Sequence, residues 1–208
     1  MPNTNTLSAE SLSCVRGERT LFESLSFSVS TGNALHIVGI NGSGKTSLLR
    51  LLCGINRADQ GAITWNGSSI ANNINFLKNS AYIGHKDGLK NELSCIENLR
   101  TYQKLDSHVD EQKLDDCLAK LQILPCADLM THQLSFGQRR RLAFARLLLT
   151  EYDLWILDEP FTGIDRDGRE LIEDICLQHL NKGGLITFTH HQNMENSSLS
   201  ETLSTLGL

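Results

Sequence analysis

One eight-residue segment limits what this chain can fold into more than any other. It reads Gly39-Ile40-Asn41-Gly42-Ser43-Gly44-Lys45-Thr46 and fits the pattern G-x-x-x-x-G-K-[ST]. An apolar run precedes it at residues 35–38, and a segment with four leucines follows it at residues 47–53. A glycine-rich turn between a buried strand and a helix is typical of phosphate-binding α/β proteins. We therefore predict an α/β core built around this loop.

The residue types of this segment suit a nucleoside triphosphate. Glycines let successive backbone N–H groups turn towards phosphate oxygens at the positive end of a helix. Lys45 is predicted to reach the β- and γ-phosphates, and the Thr46 hydroxyl to ligate Mg²⁺. A plain glycine-rich turn would not explain the strand and helix on either side. The residues predicted to contact ATP here are Gly39, Ile40, Asn41, Gly42, Ser43, Gly44, Lys45, Thr46 and Ser47.

Two adjacent carboxylates end a second apolar segment. Asp158 and Glu159 follow the run at residues 154–157 and precede Pro160. At a strand end that opens onto the phosphates, Asp158 is predicted to hold Mg²⁺ through water, and Glu159 to polarise an attacking water. The alternative is a pair of solvated turn residues. With the loop in the same chain, we favour the catalytic interpretation.

The pentapeptide Leu134-Ser135-Phe136-Gly137-Gln138 allows two interpretations that are compatible with each other. Ser135 followed by Gln138 fits a capping box at the start of a helix. A helix N-terminus with Ser, Gly and free N–H groups also binds anions. In a helical subdomain this end is expected to lie far from the chain's own phosphate loop. It would then serve a nucleotide held by another chain.

Composition and charge exclude several classes of protein. Among 208 residues, 40% are hydrophobic and the net charge is −5, without a long basic stripe, so nucleic acid is not expected as a partner. No apolar run reaches the roughly 18–20 residues that span a bilayer, and residues 1–10 do not resemble a signal peptide. Six scattered cysteines indicate a reducing compartment, and seven histidines lack metal-ligand spacing. The cluster at residues 139–141 is interpreted as a solvated helix face, with a charged docking surface as the alternative.

The pattern of apolar residues divides the chain into an α/β part and a helical part. Alternation at residues 24–30 predicts a strand antiparallel to one near residues 11–15, and further strands are predicted at 62–65, 80–83, 154–157 and 185–189. Helical periodicity dominates between about residues 85 and 150. We predict a single domain of residues 1–208, with this helical subdomain inserted in the α/β core.

Together these motifs resemble the nucleotide-binding domain of ABC-type ATPases along essentially the whole chain. The pentapeptide is similar to the family's LSGGQ signature, with Phe136 at the first glycine, and residues 161–165 correspond to the D-loop. The resemblance implies a P-loop NTPase fold of ABC type with a mixed sheet core and antiparallel N-terminal strands. It also implies hydrolysis of ATP to ADP and phosphate, with Mg²⁺, in an ATP-dependent homodimer. In that dimer Ser135, Gly137 and Gln138 contact the partner's nucleotide.

The same resemblance assigns roles to four further positions. His190 matches the switch histidine at the γ-phosphate, and His191 is expected to point the other way, because side chains alternate along a strand. Arg16 falls where the family has an aromatic residue that stacks on adenine, and a guanidinium can also stack. His85 falls at the position of the Q-loop glutamine, and its imidazole can donate or accept a hydrogen bond. The implied catalytic residues are Glu159, His190 and His85.

Residues 84–93 and 97–99 narrow the resemblance to the ATP-binding subunits of cytochrome c maturation systems. This implies integral membrane partners of the CcmB and CcmC kinds, and a peripheral location on the cytoplasmic face of the inner membrane. It also implies that ATP hydrolysis is coupled to haem export or to release of a haem-loaded chaperone, with no haem ligand in this chain. Three alternatives stay open: the ATPase of another ABC transporter, a soluble ABC-type mechanoprotein and a non-hydrolysing scaffold.

Overall fold

A computed structural model describes residues 4–103, 110–191, 194 and 196–208 of the chain. An antiparallel sheet contains four strands in the order β2-β1-β4-β5. The strands are β1 (Thr6–Arg16), β2 (Arg19–Ser30), β4 (Gln60–Trp65) and β5 (Ser68–Ser69). Val29 of β2 is buried and Ser28 is exposed, as the alternation predicts. The predicted antiparallel pairing of the first two strands is confirmed.

A second sheet has the strand order β6-β7-β8-β3-β9. Its strands are β3 (Ala34–Val38), β6 (Ser80–Ile83), β7 (Leu154–Asp158), β8 (Leu185–Thr189) and β9 (Leu203–Gly207). β3 pairs in parallel with β8 and β9, and β7 pairs in parallel with β8. The carboxyl ends of β3, β7 and β8 therefore meet at one edge of the sheet. In open α/β sheets this edge is where ligands bind.

Helix α1 (Lys45–Leu52) begins inside the glycine-rich segment and buries its leucines in the core. That core also takes Leu7 and Leu12 of β1, together with Ile156 of β7. α2 (Ile74–Asn79) is capped by the Asn73 side chain, which accepts a hydrogen bond from the backbone N–H of Phe76. Neither α2 nor β9 was predicted from the sequence, because both are short and the strand is only half-buried.

The remaining helices are α3 (Cys95–Gln103), α4 (Glu111–Lys120), α5 (Phe136–Leu149) and α6 (Arg166–Asn181). The chain forms two compact units: Met1–Tyr82, Tyr152–Pro160 and Glu173–Leu208 make the first, and Ile83–Glu151 with Phe161–Ile172 make the second. Helices α3, α4 and α5 belong to the second unit. In the part of the chain that the structure describes, none of the helices combines the length and hydropathy that a bilayer crossing needs.

A stacked histidine in the first unit makes stability depend on pH. The ring of His179 lies on Trp155 with centroids 3.8 Å apart and planes 6° from parallel. A ring nitrogen of His179 contacts the carbonyl oxygen of Leu185 at 3.3 Å. Burial lowers the pKa of His179 from 6.5 to about 4. The folded protein therefore holds this ring neutral at pH values where the unfolded chain would protonate it.

We expect His179→Phe to remove this pH dependence while keeping the stack. Because the folded pKa lies below the unfolded one, the stabilising contribution is complete above about pH 6.5 and is lost as pH falls towards 4. The wild-type protein should lose about 3 kcal/mol of unfolding free energy relative to the variant between pH 7 and pH 4. Urea titrations at several pH values measure this difference. A difference independent of pH would contradict the lowered pKa.

Candidate active site

The glycine-rich segment forms a tight turn between β3 and α1. Gly42 and Gly44 have φ angles of 79° and 105°, in the region that favours glycine. A Cβ at Gly44 would lie 3.0 Å from the Cβ of Leu21, so β2 packs directly against the turn. Ser43 Oγ is buried and has no hydrogen-bond partner among the described residues. A buried hydroxyl without a protein partner suits a ligand oxygen.

Lys45 is held at the centre of this turn. Its Nζ donates to the carbonyl oxygens of Gly39 at 2.8 Å and Ile40 at 3.0 Å. The residue is only 7% exposed, whereas Ile40 is 78% exposed at the outside of the turn. An ammonium has three N–H donors, so one remains for a phosphate oxygen.

Asp158 joins the turn to the end of β8 through two hydroxyl groups. Thr46 Oγ1 donates to Asp158 Oδ2 at 2.9 Å, and Thr189 Oγ1 donates to Asp158 Oδ1 at 2.8 Å. Asp158 is 2% exposed. Each hydroxyl directs its proton to the carboxylate, which leaves the lone pairs of Thr46 Oγ1 available. Thr189 was not identified from the sequence, because a threonine that ends an apolar strand carries no motif of its own.

Glu159 lies beside this group in a strained conformation. Its φ is 53°, which is uncommon for a residue with a side chain and occurs often at functional sites. Its backbone N–H donates to Thr189 Oγ1 at 2.9 Å. The Thr189 hydroxyl therefore links the two residues: it donates its proton to Asp158 and accepts a hydrogen bond from the backbone N–H of Glu159. The alternative of two solvated turn residues does not fit the buried Asp158.

His191 contacts the Glu159 carboxylate, with 2.6 Å between Nε2 and Oε1. The expectation that His191 points away from the site is therefore wrong. The alternation rule does not apply there, because β8 ends at Thr189. The sequence contains two adjacent histidines at this point, and either of them can align with the switch histidine of the family.

The predicted switch residue His190 directly follows Thr189 and is buried. It is 5% exposed, and its backbone carbonyl contacts Nε2 of His36 at 3.2 Å. His36 stacks on Phe188 with centroids 4.8 Å apart, and burial lowers the pKa of His36. These contacts hold the His190 backbone in the buried core. The switch role of His190 stays a prediction, and the observed ring contact to the Glu159 carboxylate is made by His191.

Two arginines lie at the hairpin between β1 and β2. Arg16 is exposed at the end of β1, pairs across the hairpin with Arg19, and donates from Nη1 to the Val15 carbonyl at 3.1 Å. The Arg19 guanidinium approaches the phosphate turn, because Nη1 would lie 3.8 Å from a Cβ at Gly42. The sequence pointed only to Arg16. Stacking of Arg16 on adenine stays a prediction.

The N-terminus of α5 has the predicted capping box in the second unit. Ser135 Oγ accepts from the Gln138 backbone N–H at 3.2 Å, and Gln138 Oε1 accepts from the Ser135 backbone N–H at 2.9 Å. Apart from its chain neighbours and the backbone of its own helix, no heavy atom of the described residues would lie within 4 Å of a Cβ at Gly137. The space beside Gly137 is therefore open to an approaching ligand or chain.

Arg140 of α5 holds the segment that contains His85. Its Nη1 donates to Asp87 Oδ1 at 2.9 Å and to the Gly84 carbonyl at 3.1 Å. Arg140 is 2% exposed, so the prediction of a solvated face is wrong for this member of the cluster. A buried guanidinium needs an opposite charge, and periodicity did not reveal Asp87 as that partner. His85 itself is exposed.

Comparisons with known proteins agree on one family. The model of the family described as ABC transporter matches residues 22–162. The cytochrome c biogenesis ATP-binding export protein CcmA of Nitrosomonas europaea is 45% identical over 196 residues, which cover 93% of this chain and 92% of that protein. The protein of the same name from Aliivibrio fischeri is 41% identical over 189 residues, covering 90% and 93%.

Solved structures agree with the fold. The structure of an ATP-binding subunit of an ABC transporter has a TM-score of 0.78 at 25% identity, covering 89% of this chain and 79% of that one. A nucleotide-free ATP-binding cassette from an ABC transporter has a TM-score of 0.79 at 23% identity, covering 98% and 88%. With relatives above 40% identity along nearly their whole length, this chain belongs to the ABC transporter family and, within it, to the cytochrome c biogenesis ATP-binding export proteins.

Proposed function

We propose that this chain is the ATP-hydrolysing subunit of a membrane complex for cytochrome c maturation, and that its work is coupled to haem export or to release of a haem-loaded chaperone. The observation that carries the hydrolytic part is the continuous contact from Thr46 through Asp158 and Thr189 to Glu159 and His191. The cytochrome c part rests on the relatives, which are named for cytochrome c biogenesis and export.

In this proposal the phosphates of ATP lie in the turn of residues 39–47. Lys45 contacts the β- and γ-phosphates with its remaining N–H. Mg²⁺ would be held by the Thr46 hydroxyl and Asp158, which are two hard oxygen donors already 2.9 Å apart. This donor set fits Mg²⁺, which usually takes one or two carboxylates and completes its shell with phosphate and water. When bound there, the ion would supply positive charge next to the phosphates.

Glu159 is the proposed base for the attacking water. Its carboxylate accepts the proton while the water oxygen bonds to the γ-phosphorus and the bond to the ADP oxygen breaks. His191 fixes the carboxylate by the 2.6 Å contact. We therefore propose His191 in the switch role that the resemblance assigned to His190. The role of His85 as a substitute for glutamine stays a proposal.

Paired substitutions test which histidine serves Glu159. We expect His191→Ala to lower kcat by about 10²-fold, because an unfixed base loses its alignment. His190→Ala should act mainly on stability, because it creates a cavity at a buried position just after β8. Steady-state phosphate release, with thermal melts of both variants, measures the two effects. The opposite pattern would return the switch role to His190.

The second half of each site is proposed to come from another copy of the chain. Ser135, Gly137 and Gln138 would face the partner's nucleotide, with backbone N–H groups at the start of α5 directed at phosphate oxygens. The open space beside Gly137 supports this arrangement. Nucleotide would then join the two copies, and its hydrolysis would release them.

Gly137→Asp tests this arrangement without disturbing the monomer. A carboxylate in the first turn of a helix is tolerated or slightly stabilising, by about 0.3–1 kcal/mol. The same charge would repel a triphosphate, so we expect ATP-dependent dimers and hydrolysis to be lost while the melting temperature is kept. Gly137→Ala is the uncharged control. Normal ATP-dependent dimers of Gly137→Asp, measured by light scattering, would overturn the pairing.

The membrane partners are proposed to be polytopic subunits of the CcmB and CcmC kinds, with this chain attached peripherally on the cytoplasmic face. Affinity purification of the tagged chain from detergent-solubilised membranes tests this, with identification of the co-purifying subunits. A permease recovered together with a nutrient-binding protein would contradict the cytochrome c assignment and leave the ATPase assignment unchanged.

A further inference from the structure

Phe136 occupies an unusual position at the first turn of α5. It is one of the most exposed large apolar side chains of the second unit, with 55% of its surface accessible. Its ring lies against Gly163, so closely that a Cβ at Gly163 would collide with two ring carbons and lie 3.3 Å from a third. Gly163 has a φ of 72°, which also favours glycine. The aromatic ring and the glycine are therefore fitted to each other.

Arg141 forms a second attachment between the same two segments. Its Nη2 donates to Asp165 Oδ1 at 3.2 Å, and the Arg141 side chain is only 14% exposed. Asp165 Oδ1 also accepts from the Gly168 backbone N–H at 3.0 Å, in the first turn of α6. A Cβ at Gly168 would lie 3.1 Å from Arg141 Nη2. The guanidinium thus lies close to the backbone where α6 begins.

The two attachments differ in chemistry and lie two residues apart on the held segment. The Phe136 ring contacts Gly163, and the ion pair with Arg141 holds Asp165. Attachment at two points restricts rotation as well as displacement. Nothing comparable involves Arg139, which is half-buried and makes no side-chain hydrogen bond among the described residues.

We propose that Phe136 and Arg141 are positioning residues that fasten residues 161–165 to the first turns of α5, so that the signature and this segment form one rigid surface for a second copy of the chain. For the identity of that occupant, the inference rests on the proposed function. A second copy of the chain is proposed to bind this surface. The open space at Gly137 and the exposed residues 163 and 165 belong to the same compact unit as Phe136 and Arg141.

Hydrogen exchange on the full chain tests the fastening directly. We expect Phe136→Ala and Arg141→Met each to accelerate deuterium uptake of peptides covering residues 161–168 by about five- to thirtyfold, the factor that corresponds to losing 1–2 kcal/mol of local stability. Phe136→Leu keeps an apolar contact and should stay near wild type. Arg139→Met removes the same charge from the same turn and serves as the control. Uptake at wild-type rates in both test variants would overturn the proposal.

A second measurement separates this role from ordinary structural support. In a Glu159→Gln background, Phe136→Ala should weaken ATP-dependent dimers about tenfold, which corresponds to 1.4 kcal/mol, and Phe136→Leu should restore them. ATP affinity of the monomer should not change. If Phe136→Ala accelerates deuterium exchange but leaves the dimer affinity unchanged, the proposal that the two segments form one dimer surface is wrong. Failure of the parent chain to dimerise with ATP would instead refute the proposed pairing, while the exchange result would still decide the fastening.

Discussion

Glu159→Gln is expected to lower kcat for ATP hydrolysis by about 10²–10⁴-fold, the usual contribution of a positioned general base. The amide has nearly the shape of the carboxylate and can keep the contact with His191, but it cannot accept a proton from water. ATP should still bind, because Lys45 and the turn are untouched. The variant should therefore accumulate as an ATP-bound dimer. Phosphate release and light scattering with ATP measure the two results.

The matched control for this substitution is Glu151→Gln, which makes the same change at an exposed position. It should hydrolyse ATP at the wild-type rate. Hydrolysis near the wild-type rate in Glu159→Gln would remove the assigned role from Glu159. Loss of activity together with loss of ATP binding would indicate that the strained residue supports the turn rather than the chemistry.

Lys45→Ala is expected to reduce ATP affinity by about 10²-fold or more. A hydrogen bond to a charged group is worth about 1.5–3 kcal/mol, and the remaining N–H of the ammonium is proposed to contact the phosphates. The side chain also bridges the Gly39 and Ile40 carbonyls, so its loss loosens the turn itself. Titration with a fluorescent ATP analogue measures the affinity, and calorimetry without nucleotide measures the effect on the fold.

Lys78→Ala removes the same charge from an exposed position on α2 and should bind ATP normally. This control separates a specific phosphate contact from a general effect of net charge, which is already −5. Unchanged ATP binding in Lys45→Ala would refute the assignment of residues 39–46 as a phosphate site.

Predictions from local sequence were accurate where one short segment contains all the information. Spacing of Gly42, Gly44 and Lys45 identified the turn, and the Ser135–Gln138 spacing identified the capping box. Alternation in β2 gave its pairing with β1. Each of these features depends on residues only a few positions apart, so the local sequence is enough to predict it.

Predictions failed where the partner lies far away in the chain. Arg140 was interpreted as solvated because Asp87, its buried counterion, precedes it by 53 residues. β9 was missed because its strand character depends on pairing with β3, which lies far back in the chain. Thr189 had no motif, and its role arises only because β7 and β8 are neighbours in the sheet.

The sequence by itself determined that a glycine-rich turn, a capped helix and a pair of carboxylates occur in this order, because each is encoded by local spacing. Only the tertiary structure decided which groups act on one another. The parallel pairing of β7 and β8 brings Thr189 between Asp158 and Glu159, and the chain beyond the end of β8 places the His191 ring on the Glu159 carboxylate. The physical reason is that hydrogen bonds act over about 3 Å in space, whatever the separation along the chain.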